Sequence, residues 1–283
     1  VLKPTQQKLK QWSLGWGLGF KFQVWNLILD FYKMKRIFNY LVLLLVFTAC
    51  DSDSAWDCIK AVGTITQEEN VLESFEKLDV RHRVQLIVKH GNDQKVILET
   101  GENLRGKITL KVTDGELRID NGNSCNLVRD YGITKVYVTS PNITQIRNGS
   151  GLPVLSEGVL GFPSLTLLSE DTAVEGDIHT VGDYELHLDV QSLSIVANGK
   201  SNFFLSGYAE NAFFGLYSGD GRIEAADFAV QNLSIYQRST NKMFVNPRQA
   251  IVGEIRSVGD VIAVHQPPVV EVVEFYTGRL IFE

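Results

Sequence analysis

Proline is scarce in this 283-residue chain, at seven, methionine is nearly absent at two, and cysteine is confined to three positions. Three cysteines are too few for a disulfide-rich mini-protein or for a four-ligand zinc site built from cysteine alone. Acidic residues are missing from one end. Residues 1–49 hold seven of the 27 Lys and Arg but only one of the 33 acids, Asp30. From Cys50 onward the balance is therefore 20 minus 32, or -12. A body that acidic repels phosphate backbones, which argues against nucleic acid as the main partner in the absence of a local basic patch. With 44% hydrophobic and 21% charged residues the composition is that of a globular chain, so disorder is excluded for most of its length, which allows one large domain or two ordinary ones.

From Met34 the chain reads MKRIFNYLVLLLVFTAC: two cations, Lys35 and Arg36, then an apolar run from Leu41 to Ala49, then Cys50. This is the pattern of an export signal. The nine-residue run covers about 13 Å as a helix, whereas spanning a bilayer takes ~20 residues. Phe47, Thr48, Ala49 and Cys50 resemble a lipobox, which makes Cys50 the expected lipidation site and 34–49 a signal peptide. Two or three acyl chains anchor where one cannot, at ~0.8 kcal/mol per buried methylene. The alternative is an ordinary cleaved signal with Cys50 incidental. Residues 1–33, with Trp12, Trp16 and Trp25 and no matching pattern downstream, read as an upstream extension outside the fold. Residues 50–57 read as a solvated tether, and 58–283 as the folded domain.

The folded part alternates apolar and polar residues instead of repeating every three or four, which predicts β structure almost end to end. Val84, Leu86 and Val88 share one face of a strand, and a Gly91-Asn92-Asp93 turn leads to Val96, Ile97 and Leu98. Strands at Ile108 to Val112 and Leu117 to Ile119 are joined through Thr113-Asp114-Gly115, a hairpin signal. A further strand is expected at Val136 to Val138. Beyond Ile143 the spacing is the informative feature. Leu193, Phe213 and Leu233 are 20 apart, as are Phe203, Ile223 and Met243, and Leu205, Ala225 and Val245. Three apolar columns in one register predict a β-solenoid whose turns stack inward residues on one another at ~4.8 Å. Leu165 precedes Leu193 by 28 residues and reads as a turn with an inserted loop. A Greek-key sandwich is the competing architecture.

The stretch GENLRGKITLKVTDGELRIDNGNSCNLVRDYG from Gly101 to Gly132, preceded by FEKLDVRHRVQLIVKHG and followed by Asn148-Gly149-Ser150-Gly151, resembles the head GIN domain family of auto-transporter adhesins. Its clearest pieces are Gly101-Glu102-Asn103-Leu104 and Asn123-Ser124-Cys125-Asn126 with Arg129 and Tyr131. Leu127 stands where many relatives have Trp. The resemblance implies a right-handed parallel β-helix and a Bacteroidota envelope lipoprotein. In that setting the acidic residues after Cys50 resemble a surface-export signal, and Asp53-Ser54-Ala55 and Asp171-Thr172-Ala173 resemble short O-glycosylation sites at Ser54 and Thr172.

With Cys50 acylated, Cys58 and Cys125 remain, and outside the cytoplasm an isolated pair favours a disulfide. It would close 66 intervening residues and contribute up to about 4 kcal/mol through loop-closure entropy. A nucleophilic cysteine is the rival, without a nearby His in sequence. His82, His90, His179, His187 and His265 lack metal spacing; His179 and His187 are close enough to meet across one turn. Ser218-Gly219-Asp220-Gly221 reads as a turn, since the repeated glycine-aspartate pattern of calcium-binding coils is absent. A polysaccharide hydrolase or lyase needs clustered carboxylates at matching heights. In the 20-residue register Asp220 aligns with Lys200 and Thr240, and Glu224 with Phe204 and Phe244, so no ladder of acids forms. Adjacent Glu170 and Asp171 point to opposite faces.

The expectation is therefore an all-β, right-handed parallel β-helix with β-hairpins in its N-terminal half, lipid-anchored in the outer membrane and either surface-exposed or periplasmic. It carries no cofactor and no catalytic residue, and it offers a repeating side surface to a glycan or protein. Tyr208, Tyr217 and Tyr236 are candidate contact residues without an assigned site. A purely structural envelope role and a polysaccharide-processing enzyme are the alternatives. An uncovered terminal turn at Phe282 makes self-association a further expectation.

Overall fold

The alternation of apolar residues resolves into seventeen strands among the described residues. The computed structural model describes residues 60–123, 132–170 and 180–283. Cys50, Cys58, Cys125, Ser54, Thr172, His179 and the segments 1–33 and 34–49 lie outside the described residues. The short strands are β1 (Ile65–Asn70), β2 (Lys77–Arg81), β3 (Gln85–His90), β4 (Lys95–Gly101), β5 (Ile108–Thr113), β6 (Glu116–Asn121), β7 (Lys135–Ser140), β8 (Gln145–Gly149), β9 (Val154–Leu160) and β10 (Ser164–Ser169). Four long strands follow: β11 (Tyr184–Ala197), β12 (Asn202–Leu216), β13 (Arg222–Gln237) and β14 (Met243–Ile255). The last three are β15 (Val261–Ala263), β16 (Val269–Glu274) and β17 (Leu280–Phe282). Among the described residues the one helical piece is a single 3-10 turn at Arg105–Lys107.

The fold is all-β, organised as two ladders. One runs β1, β4, β7, β3, β9, the front halves of β11 to β14, β15 and β17. The other runs β5, β6, β2, β8, β10, the back halves of β11 to β14, and β16. Among the described residues pairing is parallel except at β1–β4, β4–β7 and β5–β6. Each long strand belongs to both ladders, so one repeat of chain contributes an inward apolar row to each.

The inward rows are continuous. Val154, Tyr184, Phe203, Ile223, Met243 and Val261 are in register in the first ladder, and all are buried. Leu78, Ile146, Leu167, Ile195, Phe214 and Ile235 form the corresponding row of the second. The expected Phe203, Ile223, Met243 column is thus present, and Leu165 pairs with Leu193 across the inserted loop. Leu205, Ala225 and Val245 are all buried.

The expected Leu193, Phe213, Leu233 column is not formed. Leu193 pairs with Ala212, which pairs with Leu233, while Phe213 pairs with Ser194 and faces outward, half-buried. The steps are 19 and 21 residues, not two of 20: β11 and β12 pair at a constant offset of 19, and the slip of β12 against β13 between Phe204 and Gly207 raises their offset from 20 to 21. A bulge of this kind changes the residue count of one repeat, and a slip of one residue exchanges the two faces of a strand.

The hairpin expectation holds once. β5 and β6 pair antiparallel around Asp114 and Gly115, with φ of 51° and 74°, the left-handed pair a two-residue turn requires. The Gly91-Asn92-Asp93 turn does not build a hairpin, because β7 lies between β3 and β4 and pairs with both. β1 and β2 were not foreseen. β1, of sequence ITQEEN, is exposed nearly throughout and carries no apolar alternation.

Where Asn148-Gly149-Ser150-Gly151 turns the chain from one ladder to the other, a buried polar node ties them together. The Tyr184 hydroxyl donates to the Leu168 carbonyl at 2.7 Å and accepts the Asn148 amide at 3.0 Å. Asn148 donates from its side chain to the Leu152 and Asp183 carbonyls and accepts from Ser150. Burial pushes the Tyr184 phenol above its ordinary range, so it stays neutral and able to donate. The Tyr184 ring stacks on Phe203 at 4.9 Å. Tyr184→Phe keeps the stack but leaves the Asn148 amide and the Leu168 carbonyl without this partner. We expect a loss of about 1–3 kcal/mol in urea unfolding with an unchanged m-value.

Candidate functional site

The bulges that shift the register also shape the outer surface. In the first ladder the pairing slips between Glu185 and His187, between Phe204 and Gly207, and between Glu224 and Ala229, at the same level of three successive repeats. Gly207 makes the middle slip: its φ is +108°, and a Cβ there would lie 2.0 Å from the Leu188 carbonyl oxygen. Stacked bulges bend the sheet away from its plane. The resulting open groove of about 530 Å³ is lined by Ser156, Glu185, His187, Phe204, Ser206, Glu224 and Asp227, with buried Leu186 and Leu205 as its floor.

One outward row crosses this groove. Glu185, Phe204, Glu224 and Phe244 are consecutive register partners, so acid and ring alternate at the ~4.8 Å spacing between strands. Phe204 is 42% exposed, which for a large ring means a free face. Glu224 is held by Arg222, whose guanidinium lies 4.8 Å above the Phe244 ring centroid. Glu185 and Asp227 make no ion pair among the described residues, so their carboxylates are free to accept. The His187 ring hydrogen-bonds Ser206 Oγ at 2.8 Å, and its backbone amide donates to Ser156 Oγ at 2.9 Å. A serine-histidine pair alone is not a nucleophilic relay. That relay needs a carboxylate on the second ring nitrogen, and His187 has none among the described residues.

A second outer surface lies on the other ladder. The Tyr217 and Tyr236 rings are 4.9 Å apart and tilted by 30°. Arg256 sits 5.8 Å from the Tyr236 centroid and 4.2 Å from that of Phe275, and it is also paired with Glu254. Tyr217 is exposed and Tyr236 half-buried, while Tyr208 donates its hydroxyl to Glu210 at 2.6 Å, a bond that holds its phenol above the usual range. The three tyrosines therefore do not form one site.

The other sequence candidates have separate places. Asp220 accepts from the Thr240 hydroxyl at 2.7 Å in a turn stacked on Gly199, as the register of Asp220 with Thr240 requires. His82 pairs with Asp120, and the His90 ring packs edge-on to Phe162. Glu170 meets Arg147, while Asp171 lies outside the described residues. Among the described residues no three His, Cys, Asp or Glu side chains are placed to share a metal ion. Glu185 has no counterpart among the sequence candidates, while His187 enters there only as a partner for His179 and Phe204 only as a register neighbour of Glu224. The register that aligns Phe204, Glu224 and Phe244 is present in the sequence, and its signal is the alternation of acid and ring, not a ladder of acids.

The two parallel ladders joined at the Asn148 to Gly151 corner define an all-β fold class. Residues 74–267 match the family "Putative auto-transporter adhesin, head GIN domain", and the chain belongs to that family. Among solved structures, a putative adhesin from Bacteroides fragilis NCTC 9343 is similar at 20% identity and a TM-score of 0.68, covering 78% of this chain and 97% of its own. A putative adhesin from Parabacteroides merdae is similar at 15% identity and a TM-score of 0.57, covering 80% and 99%. A putative lipid binding protein from Parabacteroides distasonis has 13% identity and a TM-score of 0.56, covering 78% and 97%. No curated protein matches the chain.

Proposed function

We propose that this chain is a non-catalytic cell-envelope binding protein that takes an extended glycan along the groove of the first ladder. The observation that carries the reading is the row Glu185, Phe204, Glu224, Phe244. A sugar ring offers C–H faces that stack on an aromatic and hydroxyls that donate to carboxylates. Because acid and ring alternate from strand to strand, the pair recurs every second strand, at about 9.6 Å, and meets an extended polymer with a ring and a carboxylate in turn. The groove lies open along its length, which suits a polymer better than a small enclosed ligand. Membership of an adhesin-named family agrees with binding and with an envelope location.

In this reading the parallel ladders wind as a right-handed β-helix, the hand expected of parallel crossover connections. Cys50 carries the acyl anchor in the outer membrane, residues 50–57 space the domain from the bilayer, and Cys58 and Cys125 are joined. Protease treatment of intact cells tests the face of the membrane: a surface protein is degraded, a periplasmic one survives.

A glycan array probed with the chain tests the function. We expect binding to extended neutral or amine-bearing glycans, weakened at least about tenfold, or 1.4 kcal/mol, by Phe204→Ala and by Glu185→Gln. Tyr217→Ala on the other ladder should leave it unchanged. Binding that survives both groove substitutions, or turnover of the bound glycan, would contradict the proposal.

A further inference from the structure

The outward row that crosses the groove does not stop at Glu185. Its register partner on β9 is Leu155, and the row then passes to Ile87 on β3, Tyr137 on β7 and Ile97 on β4. The neighbours of these residues along each strand point inward, among them Leu86, Val88, Val136 and Val138, so the four look outward, and each is half-buried. An outer face calls for polar side chains, and four apolar ones on consecutive strands form a strip instead of scattered exposure.

The charges beside the strip are already neutralised. On one side Glu99 is paired with Lys135. On the other, Lys89 is paired with Glu157, and Lys95 with Glu69, which continues the row on β1. The groove differs, since its Glu185 and Asp227 carboxylates make no ion pair among the described residues. A ligand lying on both would present hydroxyl or amine donors over β11 to β13 and uncharged C–H faces over β9, β3 and β7. The Tyr137 ring is the aromatic partner on that second stretch, with its hydroxyl 3.5 Å from the Glu99 carboxylate.

We propose that the glycan site of the groove continues along Leu155, Ile87, Tyr137 and Ile97, so that the ligand is a long, largely neutral chain lying across the stacked strands. This extension rests on the glycan reading of the groove. At ~4.8 Å per strand the row spans about 14 Å from Phe244 to Glu185 and about 34 Å from Phe244 to Ile97. The additional strands more than double the contact line. Affinity therefore rises with chain length beyond what the groove alone can hold.

The test is titration calorimetry of the full chain with chitin oligomers, which are neutral and extended, and with their deacetylated, amine-bearing counterparts. A trisaccharide covers the groove, and a hexasaccharide reaches Tyr137. The deacetylated trisaccharide, which brings amines to Glu185 and Asp227, reads the groove by itself. We expect the neutral hexasaccharide to bind at least about tenfold more tightly than the neutral trisaccharide, a gain that salt leaves in place because no unpaired charge takes part. Tyr137→Ala should remove at least about threefold of that gain, the scale of one aromatic contact, whereas Phe204→Ala should weaken both lengths. Ile87→Thr, still β-branched and suited to a strand, serves if Tyr137→Ala lowers the melting curve. Equal affinities for the two lengths, with Phe204→Ala still weakening both, would overturn the extension and leave the groove. A gain with length that survives both Tyr137→Ala and Ile87→Thr would also overturn it. Absence of binding by either series would overturn the groove reading and the extension together.

Discussion

Replacing Phe214 with alanine should destabilise the protein by about 3–5 kcal/mol, the range for a phenylalanine removed from a packed core, whereas Phe213→Ala should cost no more than about 1 kcal/mol. The two residues are neighbours of identical chemistry, so propensity and chain entropy cancel between them. Phe214 is fully buried in the row with Ile195 and Ile235. Phe213 faces outward, and its ring leans with that of Tyr217 over Gly215, where an added Cβ would lie 2.7 Å from the Phe213 ring and 2.8 Å from the Tyr217 ring. In thermal melts the first substitution should lower the midpoint by roughly 6–20 °C, at 2–4 °C per kcal/mol for a domain of this size. Equal losses would mean that the register of β12 is not the one described.

That pair also marks where the sequence became unreadable. Alternation alone located β3, β5, β6 and β7, because one wet face and one dry face impose a period of two that nothing else in the chain produces. The Phe203, Ile223, Met243 column was legible because those two repeats happen to have equal length in the first ladder. The Leu193 column was misread because a 19-residue step followed by a 21-residue step averages to 20, and each compensates the other before the pattern repeats. Bulges carry no strong composition of their own. The Gly207 bulge is written as a single glycine between serine and tyrosine. β1 was invisible for a different reason: its pairing with β4 is a backbone matter, and its exposed side chains leave no apolar trace.

Gly207→Ala should be the second large effect. The backbone there has a φ of +108°, which a side chain tolerates poorly, and the added carbon would meet the Leu188 carbonyl oxygen at 2.0 Å. The neighbour is backbone in the middle of a ladder and cannot rotate aside, so the bulge must be undone or the β11–β12 pairing must part. We expect a loss of about 3 kcal/mol or more. Gly115→Ala is the control: it has φ of +74° in the β5–β6 turn and open space around the added carbon, so it should cost about 1 kcal/mol from φ alone. The excess at Gly207 measures the close approach of the two strands. The same substitution should abolish the proposed glycan binding beyond its effect on stability, because Ser206 and Phe204 flank this bulge in the groove.

Fold and proposed function meet at one link: the register sets which residues of each repeat look outward, and bulges at a common level flank the acid-and-ring row. Its most direct test is to engineer cysteines at Ser194 and Phe213, which the ladder places opposite each other on the outer surface, and in a second protein at Ser194 and Phe214. Directly opposed positions fall within the 4.4–6.8 Å Cα separation a disulfide accepts. Mass spectrometry of oxidised peptides should find the 194–213 crosslink formed in the folded protein and the 194–214 crosslink absent, since Phe214 points into the core. The reverse result would mean a uniform 20-residue step, with Phe213 inside, and the groove as described would not exist.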